Sequence, residues 1–248
     1  MKITISVKGG IHKITCDDSA AVDNIICNDN KCSVDKKDCH FVGVADGVGG
    51  NAGGKEASLY LLEQICESAY NVDTIDDLRY LFEEMNGKLL KYADSLKDKK
   101  EMATTLTGLL FTKDTIYLIQ SGNTRLYSLQ GRYLKQMTVD QTTYQRLISR
   151  GDFEAAECCN KNEIYGCFGG GDEKFVKSLR IESIFQDSFP RVALITSDGV
   201  HEYVSIDDME DIINAEIEDT EIAESLVCLA EKNGSPDDKT IVIIRKDC

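Results

Sequence analysis

Short apolar runs rich in β-branched residues recur along the chain and are separated by polar turn residues. Runs of this kind are typical of strands, and they predict strands at residues 2–7, 40–45, 105–111, 115–121, 125–129, 192–197 and 240–245. Three of them follow one another between residues 105 and 129, with only the turn pairs Lys113-Asp114 and Gly122-Asn123 between them. This succession predicts an antiparallel meander rather than repeated strand–helix–strand units.

Apolar residues that recur every three or four positions predict four helices, at residues 55–70, 75–95, 205–214 and 219–233. Two of the predicted starts carry helix-start signals: Ser205 with Asp208 resembles a capping box, and Asp219 with Glu221 places acid in a first turn. The strands and helices together favour the α+β class. Because no Pro-, Ser- or Gly-rich linker and no internal repeat divides the sequence, we expect residues 1–248 to form a single domain.

Composition and charge narrow the class of protein. The chain has 248 residues, of which 42% are hydrophobic and 29% charged, as is usual for folded proteins. Its 28 basic and 43 acidic residues give a net charge of −15, so neither nucleic acid nor an anionic membrane is expected as a partner. Since no apolar stretch is long enough to span a bilayer and no signal-peptide core follows Met1, we expect a cytoplasmic protein. We also expect a monomer.

The cysteines and histidines exclude several kinds of catalytic centre. Ten cysteines in a cytoplasmic chain are expected to be mostly reduced thiols. No cysteine has an arginine six positions later, which the phosphate cradle of the cysteine phosphatases requires. The three histidines cannot form a His-Glu-x-x-His centre. A structural zinc site is also disfavoured, because close paired spacing is absent from the set Cys16, Cys27, Cys32, Cys39 and His40.

Three acidic turns lie at the ends of predicted strands. Asp46 and Asp198 each follow an apolar strand and precede a glycine, and Asp237 with Asp238 lead into another strand. Carboxylates that converge from distant parts of a chain can hold hard divalent cations such as Mg²⁺ and Mn²⁺. Each turn by itself is more typical of a tight turn in which Asp bonds its own backbone. His201, close behind Asp198, is a candidate general acid, although a satisfied structural histidine is the more ordinary alternative.

These turns belong to a longer series of motifs. The series runs through Asp46-Gly47-Val48-Gly49-Gly50, Gly122-Asn123-Thr124-Arg125, Thr196-Ser197-Asp198-Gly199 and Asp237-Asp238-Lys239-Thr240. In order and spacing it resembles the metal-dependent serine/threonine protein phosphatases, the protein phosphatase 2C family, and most closely its compact bacterial members. The resemblance spans nearly the whole chain, because similar segments are also found at Cys16-Asp17-Asp18-Ser19, Met137-Thr138-Val139-Asp140 and Tyr165-Gly166-Cys167-Phe168-Gly169.

The resemblance implies a fold, an activity and partners. The implied fold is a four-layer α/β/β/α sandwich, in which two packed antiparallel sheets are flanked by helices, in agreement with the predicted strands and helices. The implied activity is removal of phosphate from phosphoserine and phosphothreonine of proteins, by attack of a hydroxide that bridges two metal ions. The implied partners are phosphorylated proteins and a cognate serine/threonine kinase. A non-protein phosphomonoester stays open as a substrate, because the motifs concern metal and phosphate rather than the leaving group.

Carried over residue by residue, the resemblance implies a site with two Mn²⁺ or Mg²⁺ ions. Asp46 would bridge the two ions. The Gly47 carbonyl would bind one of them, and Asp198 and Asp238 would bind the other. The expected catalytic residues are therefore Asp46, Asp198 and Asp238.

Four further positions complete the expected site. Asp18, with Asp17 near it, would hold water bound to the metals. Asn123 is found where the family has an aspartate for a third, more weakly held ion, and its neutral side chain predicts weak or absent binding of that ion. Lys13 is found where the bacterial members have an arginine that grips the substrate phosphate, and it lacks the two-pronged guanidinium. We therefore expect an active but slower enzyme, with a catalytically weak binding or regulatory module of the same fold as the alternative.

Three segments have further interpretations. Residues 138–154 lie where the family has a mobile flap, but their sequence is equally typical of an amphipathic helix. Residues 49–55 have the spacing of a P-loop, yet Glu56 follows where that nucleotide-binding motif needs Ser or Thr, which disfavours it. Residues 192–231 contain twelve Asp or Glu and no Lys or Arg, as in a solvated helical face or a surface that selects basic partners.

Overall fold

A computed structural model describes residues 1–48, 52–68 and 74–246. Within these residues, fourteen strands form two six-stranded antiparallel sheets and one two-stranded pair. The strands are β1 (Lys2–Lys8), β2 (Ser19–Val22), β3 (Ile25–Cys27), β4 (Lys31–Asp35), β5 (Phe41–Ala45), β6 (Ala103–Thr104), β7 (Leu106–Phe111), β8 (Thr115–Ser121), β9 (Arg125–Gln130), β10 (Tyr133–Gln136), β11 (Phe168–Gly169), β12 (Arg180–Phe185), β13 (Val192–Thr196) and β14 (Lys239–Arg245).

The two large sheets contain all the predicted strands. The first sheet has the order β10-β9-β13-β14-β1-β4, the second sheet has the order β12-β8-β7-β5-β2-β3, and β11 pairs with β6. Each of the seven predicted strands is present within one residue of its predicted bounds. Continuous apolar runs were therefore sufficient to find the central strands, which are buried on both faces.

Helices cover the outer faces of both sheets. On the second sheet, Leu61 of α1 shares a core with Phe41 of β5. On the first sheet, Leu226 of α7 shares another core with Ile241 of β14. The helices are α1 (Gly54–Glu67), α2 (Ile75–Ser95), α3 (Thr143–Arg150), α4 (Phe153–Cys158), α5 (Asp198–His201), α6 (Ile206–Ile213) and α7 (Asp219–Lys232).

A further core lies between the two sheets, and β14 shows how one strand serves two cores. Ile241 and Ile243 lie in the core under α6 and α7, whereas Val242 and Ile244 lie in the core between the sheets. Successive side chains of a strand point to opposite faces, so an unbroken apolar run can fill both layers. This layering confirms the predicted α/β/β/α sandwich.

The predicted meander is wrong in one respect. β7 and β8 form a hairpin in the second sheet, but β9 belongs to the first sheet, so the chain crosses between the sheets at Gly122-Asn123. The hydroxyls of Thr105 and Thr124 lie 2.9 Å apart across this crossing, and Gln141 Oε1 accepts from the Gly122 N–H at 2.9 Å. A hairpin and a crossing both need turn residues, so the local sequence does not distinguish them.

The elements that were not predicted are short or polar. The strand β4, for example, alternates exposed and half-buried residues and contains no apolar run. Helix α3 lies within residues 138–154, as the amphipathic-helix interpretation predicts, and Thr142 caps it by accepting from the Gln145 N–H at 3.1 Å.

Two predicted segments extend beyond what the structure describes. The helix expected at residues 55–70 ends at Glu67, and residues 69–70 lie outside the described part of the chain, as do residues 49–51 of the P-loop spacing. In the described ranges, every helix is too short or too polar to cross a membrane.

Candidate metal-binding active site

The acidic turns meet at one end of the sandwich. Asp18 immediately precedes β2 and Asp46 immediately follows β5, and these strands pair side by side. Asp198 begins α5 after β13 and Asp238 precedes β14, and these strands are also neighbours. The two sheets are joined at this end, since Thr240 Oγ1 donates to Asp18 Oδ2 at 2.7 Å across 222 residues of sequence.

Asp18, Asp46 and Asp198 form a central carboxylate cluster. Asp18 is 1% exposed, and the other two residues are half-buried. The hydrogen-bond donors to the cluster are neutral: Thr240 donates to Asp18, and Asn123 Nδ2 donates to Asp198 Oδ2 at 3.0 Å. A hydroxyl and an amide satisfy single oxygens but do not offset the negative charges.

Burial and mutual repulsion act on all three carboxyls. Burial, followed by the charge of Asp238, raises the pKa of Asp18 to about 7. Burial and the charges of Asp18 and Asp198 raise the pKa of Asp46 well above its ordinary value. Burial and the charge of Asp237 raise the pKa of Asp198. Carboxylates held together in this way are stabilised by a cation placed among them.

Asp238 lies at the edge of this cluster and is already saturated with donors. It is 2% exposed. Its Oδ1 accepts from the Gly10 N–H at 2.7 Å, and its Oδ2 accepts from the Asp17 N–H at 2.7 Å and from Lys13 Nζ at 2.8 Å. Three donors, one of them charged, leave this carboxylate little capacity for a metal ion.

Of the neighbouring residues Asp237 and Asp238, Asp237 is better placed to bind a metal ion. Its side chain is 45% exposed, and its charge contributes to the raised pKa values of both Asp46 and Asp198. The geometry therefore favours Asp237 over the predicted Asp238 as the carboxylate that joins Asp46 and Asp198. The sequence signal was the tandem Asp237-Asp238 itself, and its two members differ in exposure and in the backbone donors from Gly10 and Asp17 to Asp238.

Lys13 is engaged with these same carboxylates. Its Nζ donates to Asp237 Oδ1 at 2.7 Å and to Asp238 Oδ2 at 2.8 Å, and it lies 3.6 Å from Asp17 Oδ2. Although burial opposes it, hydrogen bonding to Asp237 and Asp238 raises the pKa of Lys13. The structure thus places the ammonium as a counter-ion of the acidic turn, which differs from the predicted contact with substrate phosphate.

Two glycines allow the acidic turns to approach one another. A Cβ on Gly199 would lie 1.9 Å from the Asp238 carbonyl oxygen, and a Cβ on Gly47 would lie 2.7 Å from the Asp17 carbonyl oxygen. Neither contact is possible for a larger residue without moving the backbone. The glycine after each of Asp46 and Asp198 is therefore a packing requirement as well as a turn signal.

Asp17 anchors the N-terminal acidic segment on helix α1. Its Oδ1 accepts from the Lys55 N–H at 3.2 Å, and its carbonyl oxygen accepts from Ser58 Oγ at 2.6 Å. The first turn of a helix has free N–H groups and a partial positive charge, which suits a carboxylate. Asp17 thus positions the neighbouring Asp18 through its contacts with α1, and its bonded Oδ1 faces the helix.

Two of the matched motifs meet beside the cluster. Arg125, from Gly122-Asn123-Thr124-Arg125, forms an ion pair with Asp140, from Met137-Thr138-Val139-Asp140, at 2.6 Å. Its Nε also donates to both carboxylate oxygens of Asp140. This fork-like pairing fixes the chain that leads from Asn123 into β9.

His201 is a structural residue in this arrangement. It is 7% exposed, and its Nδ1 lies 2.9 Å from Thr196 Oγ1. Burial, followed by the charge of Arg125, lowers the pKa of His201 well below its ordinary value. A neutral imidazole at pH 7 does not supply a proton readily, so the geometry favours the structural alternative over the general-acid prediction.

An α/β/β/α sandwich with carboxylates gathered at one end of its two sheets is the arrangement expected of a metal-dependent phosphatase. A family model of protein phosphatase 2C matches residues 16–229. The chain therefore belongs to the protein phosphatase 2C family.

Curated relatives agree with this family. The serine/threonine phosphatase stp of Listeria welshimeri is 27% identical over 214 residues, which cover 82% of this chain and 83% of that protein. The serine/threonine protein phosphatase PstP of Mycobacterium tuberculosis is 28% identical over 212 residues, which cover 82% of this chain and 40% of that protein.

Solved structures share the fold. Stp1 from Staphylococcus aureus superimposes with a TM-score of 0.80 at 21% identity, over 99% of this chain and 95% of that chain. The catalytic domain of PstP in complex with two manganese ions superimposes with a TM-score of 0.71 at 22% identity, over 98% of each chain.

Proposed function

We propose that this protein phosphatase removes phosphate from phosphoserine and phosphothreonine of proteins with the help of two Mn²⁺ or Mg²⁺ ions held at the carboxylate cluster. The observation that carries the proposal is the set of carboxyls Asp18, Asp46 and Asp198. Burial and the charges of Asp18 and Asp198 raise the pKa of Asp46, and among the described residues Asp18 and Asp198 accept hydrogen bonds from the neutral side chains of Thr240 and Asn123. The two manganese ions of the PstP catalytic domain support the choice of metal.

The chemistry of the donor set fits hard divalent cations. Aspartate and carbonyl oxygens are the ligands that Mg²⁺ and Mn²⁺ prefer, and these ions keep several waters. In the described residues, no group of three or more His, Cys, Asp or Glu side chains is arranged to hold a metal ion by itself. Backbone carbonyl oxygens and water would therefore complete the coordination around these carboxylates.

Three carboxylates and one carbonyl are the proposed ligands. Asp46, between the two sheets, would bind both ions, the Gly47 carbonyl would bind one, and Asp198 and Asp237 would bind the other. Bound ions of this kind lower the pKa of a coordinated water and offset the charge on a phosphoryl group. In this proposal Asp237 replaces Asp238, because the oxygens of Asp238 already accept three hydrogen bonds.

Two other residues shape the site without binding the ions themselves. Asp18, held by Thr240, would accept hydrogen bonds from water at the metals, as its buried position between Asp46 and Thr240 suggests. Asn123 orients Asp198 through its amide. As a third-ion ligand Asn123 would supply only its carbonyl oxygen, so weak third-ion binding stays a prediction.

The alternative of a binding or regulatory module has no observation in its favour. Asn123 and Lys13, the two substitutions that motivated it, both contact site carboxylates and leave the central cluster intact. The kinase partner, the monomeric state, the single-domain organisation and the cytoplasmic location stay predictions.

The proposal is tested by hydrolysis of a phosphothreonine peptide and of p-nitrophenyl phosphate, with Mn²⁺, with Mg²⁺ and with EDTA. We expect activity that requires the metal and is lost in Asp46→Ala and Asp198→Ala. Asp140→Asn, which alters a carboxylate paired with Arg125 outside the cluster, is the matched control and should retain most of the activity. Mn²⁺ binding without phosphate release from either substrate would contradict the proposal.

A further inference from the structure

Two thiols lie close together between the edge strands of the two sheets. Cys27 ends β3, the edge strand of the second sheet, and Cys32 lies in β4, the edge strand of the first sheet. Their Sγ atoms are 3.1 Å apart, with Cys27 donating to Cys32. Both are free thiols, and both pack against the core between the sheets. A disulfide needs Sγ atoms about 2.05 Å apart, so the two sulfurs are about 1 Å farther apart than bonded ones.

The two thiols differ in reactivity. Cys27 is 1% exposed, whereas Cys32 is half-buried and can be reached from solvent. The hydrogen bond from Cys27 lowers the pKa of Cys32 to about 7, although burial opposes this. Cys66 is half-buried as well, but burial raises its pKa to about 12. Because the thiolate is the nucleophile, Cys32 is the expected point of attack and Cys66 is a matched control.

The turn between these two cysteines also contacts the segment that carries Asp18. Asn28 follows Cys27, and its Nδ2 donates to the carbonyl oxygens of Cys16 at 3.0 Å and of Asp18 at 2.7 Å. It also approaches Ser19 Oγ at 3.3 Å. Asn28 therefore fixes the backbone on both sides of Asp17 and at Asp18, so a movement at Cys27 is transmitted directly to the carboxylate cluster.

We propose that Cys27 and Cys32 form a reversible regulatory disulfide when the protein meets hydrogen peroxide, and that the bond slows the enzyme by displacing Asn28 from the Asp18 segment. The second half of this proposal rests on the proposed function.

The oxidation balances as two thiols and one peroxide giving one disulfide and two waters. The Cys32 thiolate attacks one peroxide oxygen and breaks the O–O bond, which leaves a sulfenic acid, and the departing hydroxide takes a proton to become water. The Cys27 sulfur then attacks the Cys32 sulfur, loses its own proton and displaces the hydroxyl group as the second water. A dithiol reductant reverses the bond by exchange.

The covalent step is tested on the full chain by peroxide treatment, alkylation of the remaining thiols and peptide mass spectrometry. We expect peptides linked through Cys27 and Cys32, released by dithiothreitol, to form at least about tenfold faster than Cys66 oxidises. Cys32→Ser should abolish the link and Cys66→Ser should not. Oxidation of Cys66 as fast as Cys32, or oxidised Cys32 without a link to Cys27, would overturn the proposal.

The regulatory step is tested by comparing phosphatase rates and the Mn²⁺-induced rise in melting temperature before and after oxidation. A displacement of about 1 Å at a catalytic segment is expected to lower the rate by up to about 100-fold. Cys32→Ser should show no such loss after peroxide, and Asn28→Ala should show it without peroxide.

The experiments distinguish failure of the coupling to Asp18 from failure of the proposed function. A mapped disulfide with unchanged rate and unchanged Mn²⁺ response would overturn the coupling to Asp18. If the reduced protein hydrolyses no phosphoester, the proposed function fails, and the mapped disulfide together with the Mn²⁺-induced melting shift still decides whether the dithiol is coupled to the cluster.

Discussion

Two groups of buried carboxylates in this protein differ in what offsets their charge. In one group each carboxylate has a cationic partner: Asp238 pairs with Lys13 at 2.8 Å, and Asp140 pairs with Arg125 at 2.6 Å. In the other group, the described contacts of Asp18 and Asp198 are to the neutral side chains of a threonine and an asparagine.

This difference indicates which carboxylates most need an added cation, although Asp237, a proposed ligand, also lies 2.7 Å from Lys13 Nζ, and Asp18 is not proposed as a ligand. A buried acid that carries its own cation is compensated within the fold. A buried acid beside other acids costs stability until an ion arrives, and proteins keep such an arrangement where a function needs it.

The largest expected effect comes from Asp46→Asn in the unpaired group. We expect kcat/KM to fall at least about 10³-fold, equivalent to about 4 kcal/mol, because the shared ligand of both ions is weakened. The metal-free variant should also be more stable, by about 1 kcal/mol, since one of the repelling charges is removed. Steady-state kinetics and denaturant unfolding in EDTA measure the two effects, and a stability loss would show that Asp46 is compensated within the fold.

In the proposed site, the tandem Asp237-Asp238 places a metal ligand next to a structural acid. Asp237→Asn should raise the Mn²⁺ concentration for half-maximal activity by about 30-fold, through loss of a charged ligand. Asp238→Asn should raise it much less, but it should lower the free energy of unfolding by about 1–3 kcal/mol, because Gly10, Asp17 and Lys13 lose a charged acceptor. Metal titrations and urea melts of both variants decide the assignment, and the reverse ranking would restore Asp238 as the ligand.

Asn123→Asp converts a neutral donor of the cluster into another acid. In EDTA we expect the free energy of unfolding to fall by about 1 kcal/mol, because the hydrogen bond to Asp198 is replaced by repulsion. At saturating Mn²⁺ we expect turnover to rise about threefold, since an added carboxylate can hold a further ion. Parallel thermal melts and rates, with and without Mn²⁺, measure both; an unchanged or lower rate at saturating metal would count against a third-ion role.

The smallest expected effect is that of Lys13→Arg. Because the cation at this position is engaged by Asp237 and Asp238, its exchange should change KM for a phosphopeptide by less than about twofold. Lys13→Met should instead reduce stability by about 1 kcal/mol, as the ion pair is partly exposed. A tenfold decrease in KM for Lys13→Arg would show that the residue contacts substrate phosphate after all.

Local patterns in the sequence were sufficient to predict the central strands and the acidic residues at their ends. Apolar runs located the central strands, and the strand-end acids Asp46 and Asp198 were found because each follows such a run. The crossing at Gly122-Asn123, the partner of Lys13 and the choice between Asp237 and Asp238 depend on contacts between residues that are far apart in sequence. No periodicity or motif carries that information.

The acidic run at residues 192–231 illustrates the same limit. Its acids looked like a uniformly solvated face, but basic side chains of the first sheet neutralise several of them. The ion pairs are Lys2 with Glu218 at 3.1 Å, Arg245 with Asp219 at 2.5 Å, and Lys8 with Glu231 at 2.8 Å. The net charge of a segment therefore overstates the charge that it offers to a partner.

The hydrogen bond between Thr240 and Asp18 has a consequence for when the enzyme becomes active during its synthesis. It joins Asp18, immediately before β2, to Thr240 in β14, so the carboxylate cluster is assembled only after β14 has been synthesised and has docked between β13 and β1. Contacts of such long sequence separation form late in folding. A nascent chain that stops before β14 would contain Asp18, Asp46 and Asp198 and still lack the contact from Thr240, so we expect dephosphorylation only after β14 has docked.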